Sequence, residues 1–235
     1  MKILALESSA VSASAALCED ESLIAQAFQR SGLTHSATLL PMVRGLLDNC
    51  GVSLEQVELI AVAQGPGSFT GLRIGVSTAK GLAWGLDKPC CGVSTLEAMA
   101  WNVAHMGGVI CCAMDARRRQ VYNALFRAEG DRLERLTEDR AIGLDQLWAE
   151  KNGANAQIVV GDGAELCYND GRARGLELRL APPHLRWPCA WGVARAALEK
   201  ARRGETTTAQ ALAPVYLRLS QAERERMERE GKKER

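Results

Sequence analysis

The chain has 235 residues, 47% of them hydrophobic, with 29 Lys plus Arg against 28 Asp plus Glu. This length suits two small lobes sharing a long interface, and a balance this even excludes a molecule built as a general phosphate trap, leaving only local basic patches for nucleic acid. No apolar run approaches the roughly 20 residues of a membrane span, and Glu7 stands where the apolar core of a signal peptide would continue, so no membrane and a cytoplasmic location are expected.

Lys2 to Glu7 reads as a strand, Ser12 to Leu17 as its partner, and Ser22 to Gln29 as a third, turned back by Glu19-Asp20-Glu21. A helix follows, with apolar Leu39, Leu40, Val43, Leu46, Leu47 and Cys50 at helical spacing. Gly51 suits its left-handed cap, and Pro41 makes it start late or bend. Ser53-Leu54-Glu55-Gln56 is a capping box. Leu59 to Ala63 is apolar throughout, as in a strand buried on both faces. The loop Gly65-Pro66-Gly67-Ser68-Phe69-Thr70-Gly71 leads into a helix from about Leu72 to Leu86. Cys90 to Val93 reads as a strand, and Ser94 to Glu97 as a second capping box opening a helix. This alternation implies a sheet with parallel neighbours covered by helices, a first lobe of about residues 1–106. A smaller lobe, 107–220, carries strands at Val109–Met114, Gln120–Phe126 and Gln157–Val160. A loop is expected over 168–188, then an amphipathic helix over Cys189–Arg203 that can pack back on the first lobe. The tail, 221–235, has five Glu and six Lys or Arg and little to bury, so it reads as a solvated helix or disorder. No internal repeat is visible.

The eight cysteines lack Cys-x-x-Cys spacing. The adjacent pairs Cys90-Cys91 and Cys111-Cys112 lie in apolar strands, whose neighbouring side chains point apart, so they read as small buried hydrophobes. The glycine loop lacks the Gly-Lys-Ser/Thr end of a P-loop and is one residue longer than the dinucleotide fingerprint, leaving a tight strand-to-helix turn or a phosphate cradle. Glu7, Ser8 and Ser9 are either polar turn residues or the holders of a metal-bound phosphate; the longer Glu side chain disturbs a tight octahedral site. Gly161-Asp162-Gly163 ends a strand of the second lobe. His35, His105 and His184 have no i, i+4 partner, so no metal site and no catalytic residue is nominated. Arg117, Arg118 and Arg119 form a solvated turn or a phosphate or RNA contact. The helix surfaces are either consumed internally or left for another protein.

Taken together, Lys2–Ser9, His35–Pro41, Gln64–Gly75, Ala79–Ala83, Gly92–Ala98, Asp115–Arg117 and Pro214–Arg218 resemble the TsaB (YeaZ) family, densely over residues 1–127. The resemblance implies an α/β, actin-like ATPase (ASKHA) fold of two ribonuclease-H-like lobes with mixed sheets, the second reduced. It implies a non-catalytic scaffold or activating subunit that serves, with a TsaD-type catalytic subunit and a TsaE-type ATPase, threonylcarbamoylation of adenosine 37 in ANN-decoding tRNAs. The tRNA is reached through the complex. The partner surface falls on the first two helices, at Leu39, Leu40, Val43, Leu46, Leu47, Leu72, Arg73, Val76, Ala79 and Leu82, and the chain alone is expected to homodimerise there. The family's opening Asp is Glu7 here, and only His35 remains where TsaD-like proteins hold a metal. No cofactor is expected in the isolated chain, with Glu7, Ser8, Ser9, Gly161 and Gly163 a vestigial nucleotide site and ATP or ADP a candidate at the complex interface. The alternative is an actin-like small-molecule kinase or ATPase.

Overall fold

A computed structural model describes residues 1–218; the charged tail lies outside the described residues. Two mixed sheets carry the fold. The first contains β1 (Lys2–Glu7), β2 (Ala13–Glu19), β3 (Ser22–Gln29), β4 (Leu59–Gly65) and β5 (Cys90–Ser94), ordered β3-β2-β1-β4-β5. β1 pairs antiparallel with β2 and β2 with β3, while β4 pairs parallel with β1 and β5 with β4, so two hairpins and two crossovers build it. The second contains β6 (Gly108–Asp115), β7 (Gln120–Glu129), β8 (Arg132–Arg135), β10 (Ile158–Val160) and β11 (Arg179–Leu180), ordered β11-β10-β6-β7-β8, while β9 (Arg140–Gly143) also pairs with β7. Read from its hairpin side this is the same strand order, with β10 and β11 cut to three and two residues. The fold is therefore a duplicated ribonuclease-H-like lobe of the actin-like kind with the second copy reduced, a repeat that the sequence does not display.

Helices make the remaining layers. α1 (His35–Cys50) and α2 (Phe69–Trp84) cover the outer face of the first sheet, packing with Leu4, Leu6, Leu17, Ile60 and Val62. α3 (Thr95–Val103) and α7 (Ala190–Arg202) fill the space between the sheets. α4 (Leu144–Ala149) and α6 (Ala164–Ala173) cover the far face of the second sheet, and α5 (Lys151–Ala154) joins α4 to β10. The cysteine pairs follow this layering: Cys90 faces the outer core and Cys91 the inner one, Cys112 the inner core and Cys111 the far one. All eight are free.

α7 is buried almost all round, from Ala190 to Leu198, rather than along the single stripe its period suggests. It is sandwiched, and its alanines and Gly192 let it cross α3 so closely that a Cβ on Gly192 would strike the Ala98 carbonyl. Three expectations need correction. α1 starts at His35 and runs through Pro41 without starting late. α2 begins at Phe69 rather than Leu72, because the Ser68 hydroxyl caps it by accepting from the Gly71 N–H at 3.3 Å. Residues 168–188 are not a loop throughout: α6 extends to Ala173 and β11 follows, since the small residues Ala164, Cys167 and Gly171 allow α6 to lie against Trp148 and Leu178.

Candidate functional site

The ends of β1, β4, β6 and β10 converge on a cleft of about 430 Å³ between the lobes. Its first wall is the turn after β1 clamped to the glycine loop. The Ser68 N–H donates to the Ser9 carbonyl at 2.7 Å, and the Ser8 hydroxyl donates to the Gly71 carbonyl at 2.9 Å. A Cβ on Gly67 would sit 2.5 Å from the Ser9 carbonyl oxygen, and one on Gly71 would overlap that of Ser8. Gly65 and Pro66 are buried and Thr70 is exposed. The Ser68 N–H is engaged in this clamp, and those of Gly71 and Leu72 in the cap of α2. The loop is a close-packing device.

The opposite wall is made the same way. The Gly161 N–H donates to the Arg186 carbonyl and the Gly163 N–H to that of Ala113, at 2.9 and 3.0 Å. Gly161 sits at φ +115°, and Cβ atoms on either glycine would run into the end of β6. Asp115 and Asp162 line the cleft, and Glu7 is buried away from its lining. Glu7 is fully buried; one oxygen accepts from the Ser9 N–H and the other has no partner, and the Ser9 hydroxyl is likewise unpartnered. Burial pushes the Glu7 carboxyl up to about 7, against the pull of Ser9 and aided by the Asp162 charge. Burial also lifts Asp162 to about 6, although it accepts from the Asp115 N–H at 3.2 Å. Among the described residues no cluster of three His, Cys, Asp or Glu is placed to hold a metal.

Because the folded-state pKa of Glu7 lies above its unfolded value, the folded chain binds the proton more tightly. Stability is greatest below about pH 4.5 on this account and falls as pH rises to about 7. A shift of this size corresponds to about 3 kcal/mol. Glu7→Gln, neutral at every pH, is expected to flatten the decline in thermal midpoint between pH 5 and pH 8; an unchanged decline would place its origin elsewhere.

Arg117, Arg118 and Arg119 occupy three successive left-handed positions, φ 67, 54 and 55°, at the tip of the β6–β7 hairpin. The Arg117 N–H donates to Asp115 at 2.7 Å, Arg119 pairs with Asp170 at 2.8 Å, and all three side chains are exposed. Arg117 lines the cleft mouth. His35 opens α1 with its Nε2 2.8 Å from the Ala10 carbonyl oxygen.

The helix-face expectation is corrected in detail. Leu39, Val43, Leu46, Leu72, Val76 and Ala79 are buried against the first sheet and cannot meet a partner, because the helical period turns them inward. Of the ten, Leu40 is 52% exposed, Arg73 is exposed, and Leu47 and Leu82 are half-buried. Ile74 and Thr78 are half-buried, and Trp84 is 63% exposed. Among the described residues nothing comes within 4 Å of a Cβ built on Gly45 or Gly81, so both present bare backbone at the helix surface. Sequence reasoning missed the Phe69–Tyr216 stack, with ring centroids 4.1 Å apart, and the reach of Arg218 to the hairpin; no local pattern announces contacts across so long a separation.

A family model described as TsaD, tRNA N6-adenosine threonylcarbamoyltransferase, matches residues 29–166. The tRNA threonylcarbamoyladenosine biosynthesis protein TsaB of Escherichia coli is 33% identical over 222 residues, 93% of this chain and 95% of that protein. The Bacillus subtilis protein of the same description is 40% identical over 150 residues, covering 64% of this chain and 65% of its own length. Among solved structures, YeaZ from Pseudomonas aeruginosa superposes with a TM-score of 0.76 at 28% identity, over 92% of this chain and 99% of that one.

Proposed function

The chain belongs to the TsaB family of tRNA threonylcarbamoyladenosine biosynthesis proteins, and from that membership we propose that it is a non-catalytic subunit activating a TsaD-type transferase that modifies adenosine 37 of ANN-decoding tRNAs. The observation that carries this reading is the contrast between its two surfaces. On the cleft side the glycine turns are packed tightly onto the ends of β1 and β6, and Glu7 is buried away from the cleft lining. The outer face of α1 and α2 offers Leu40, Leu47, Ile74, Leu82 and Trp84 around the open glycines 45 and 81. Bare backbone lets a second helix pair approach closely, and apolar side chains around it supply area to bury.

On this reading the isolated chain forms a homodimer through that face, in competition with the TsaD-type subunit. A TsaE-type ATPase and tRNA join the assembled complex, and any adenine nucleotide belongs to the joint interface. Mixing the chain with its TsaD homologue is expected to give a 1:1 complex by light scattering, with tRNA modification requiring both; full-rate modification by the homologue alone would end the proposal. Leu40→Glu would bury an unpaired charge at the contact, and is expected to weaken association at least 100-fold in sedimentation while the monomer still melts cooperatively. Calorimetry with Mg-ATP on the isolated chain separates this reading from a kinase, which would bind at micromolar concentrations. The Arg117–Arg119 turn is the proposed tRNA contact: replacing all three with Gln should lower tRNA affinity of the complex and reduce its salt dependence.

A further inference from the structure

The chain after α7 returns to the first lobe and then leaves it. Thr207 and Cys90 exchange backbone hydrogen bonds at 2.8 Å, Leu212 is buried, and Lys80 Nζ donates to the carbonyls of Gln210 and Leu212 at 3.1 and 3.0 Å. The Val215 N–H then donates to the Gln64 carbonyl at 2.7 Å, beside Gly65, whose φ of +134° and missing side chain leave room for the Val215 carbonyl. Tyr216 lies flat on Phe69 with 4° between the rings, and its hydroxyl accepts from Arg73 Nε at 3.0 Å. Two residues later the chain has crossed the cleft. Arg218 donates to the Ala116 carbonyl at 2.5 Å and to the Gln120 side chain, both on the β6–β7 hairpin, and it lines the cleft.

We propose that residues 213–218 are a releasable strap that closes one mouth of the cleft and ties the β6–β7 hairpin to the first turn of α2. α3 and α7 hold the lobes together through a dry core on the other side. The strap side is joined by polar contacts and one stack in which Tyr216 remains 37% exposed. Such a contact opens by local unfolding at far lower cost than the core. Its near anchor is Tyr216 on Phe69 and Arg73; its far anchor is Arg218 on the hairpin. Opening it frees the cleft without disturbing either sheet. This holds whatever partner α1 and α2 take.

Hydrogen exchange on the full chain tests the strap. Arg218→Ala is expected to speed exchange in residues 114–122 at least tenfold while α7 and β1 keep their protection. Tyr216→Ala, half-exposed and so tolerated by the fold, is expected to do the same and also to expose residues 213–218. Rates within twofold of the parent at the hairpin in both variants would overturn the proposal. An equal rise over every segment would overturn it too, since that reports general destabilisation rather than a strap.

Discussion

Val43→Glu is expected to abolish folding of the first lobe, whereas Leu40→Glu, three residues earlier on the same helix, leaves the fold intact. Val43 is 1% exposed and packs in the outer core against the first sheet, while Leu40 points away from it. A carboxylate at 43 would be desolvated with no cation in reach, and the site would also lose its apolar contacts; together these cost about 5 kcal/mol. Domains of this kind are stable by only about 5–15 kcal/mol in total. The measurement is the soluble, cooperatively melting fraction of each variant. A Val43→Glu chain that melts like the parent would mean that α1 presents its other face to the sheet.

Gly71→Ala is the second large effect, expected to cost about 3 kcal/mol. One methyl group suffices because it would enter the space of the Ser8 carbonyl oxygen, which is backbone and cannot rotate aside. Either α2 lifts from the turn after β1 or that turn moves, and both lose the Ser8–Gly71 hydrogen bond. For a chain of this size the loss corresponds to a fall in thermal midpoint of roughly 6–12 °C. Gly81→Ala is the control: it lies in the same helix with nothing within 4 Å of its Cβ, and is expected to stabilise the chain by about 0.5–1 kcal/mol through helix propensity. Equal midpoints for the two variants would show that the clamp is looser than the geometry requires.

The first lobe was largely legible because its signals are local. Lys2 to Glu7 and Leu59 to Ala63 are apolar runs of strand length, and each lies within an observed strand. Ser53 and Gln56 form the reciprocal capping box, and Ser94 accepts from the Glu97 N–H. The second lobe was legible where strands are apolar and at α7, read as a helix over Cys189–Arg203 and observed at Ala190–Arg202. β8 and β9 each begin with Arg and are short, and α6 has a buried side made of Ala, Cys and Gly, so it looks like loop until Trp148 and Leu178 are brought against it. Helical spacing identified α1 and α2 but not which side of each faces the sheet. Leu39 and Leu40 are adjacent and equally apolar, and only the packing on β2 sends one inward and the other to the surface. In the cleft, Glu7 and the glycine loop stood out by composition. That the glycine loop is clamped to Ser8 and Ser9, with Glu7 accepting from the Ser9 N–H, is a fact of three-dimensional proximity.

The placement of α7 between the sheets affects how the chain is made. The inner face of the first sheet, complete as a set of strands at Ser94, is covered over β4 and β5 in part by α3, but over β1 and β2 by a helix that begins only at Ala190. At synthesis rates of 5–20 residues per second, that apolar face waits roughly 5–20 s for its cover on the ribosome. A nascent chain stalled anywhere between α3 and α7 therefore leaves Ile3 and Ala5 of β1 without their helix, an apolar surface of the kind a holding chaperone covers.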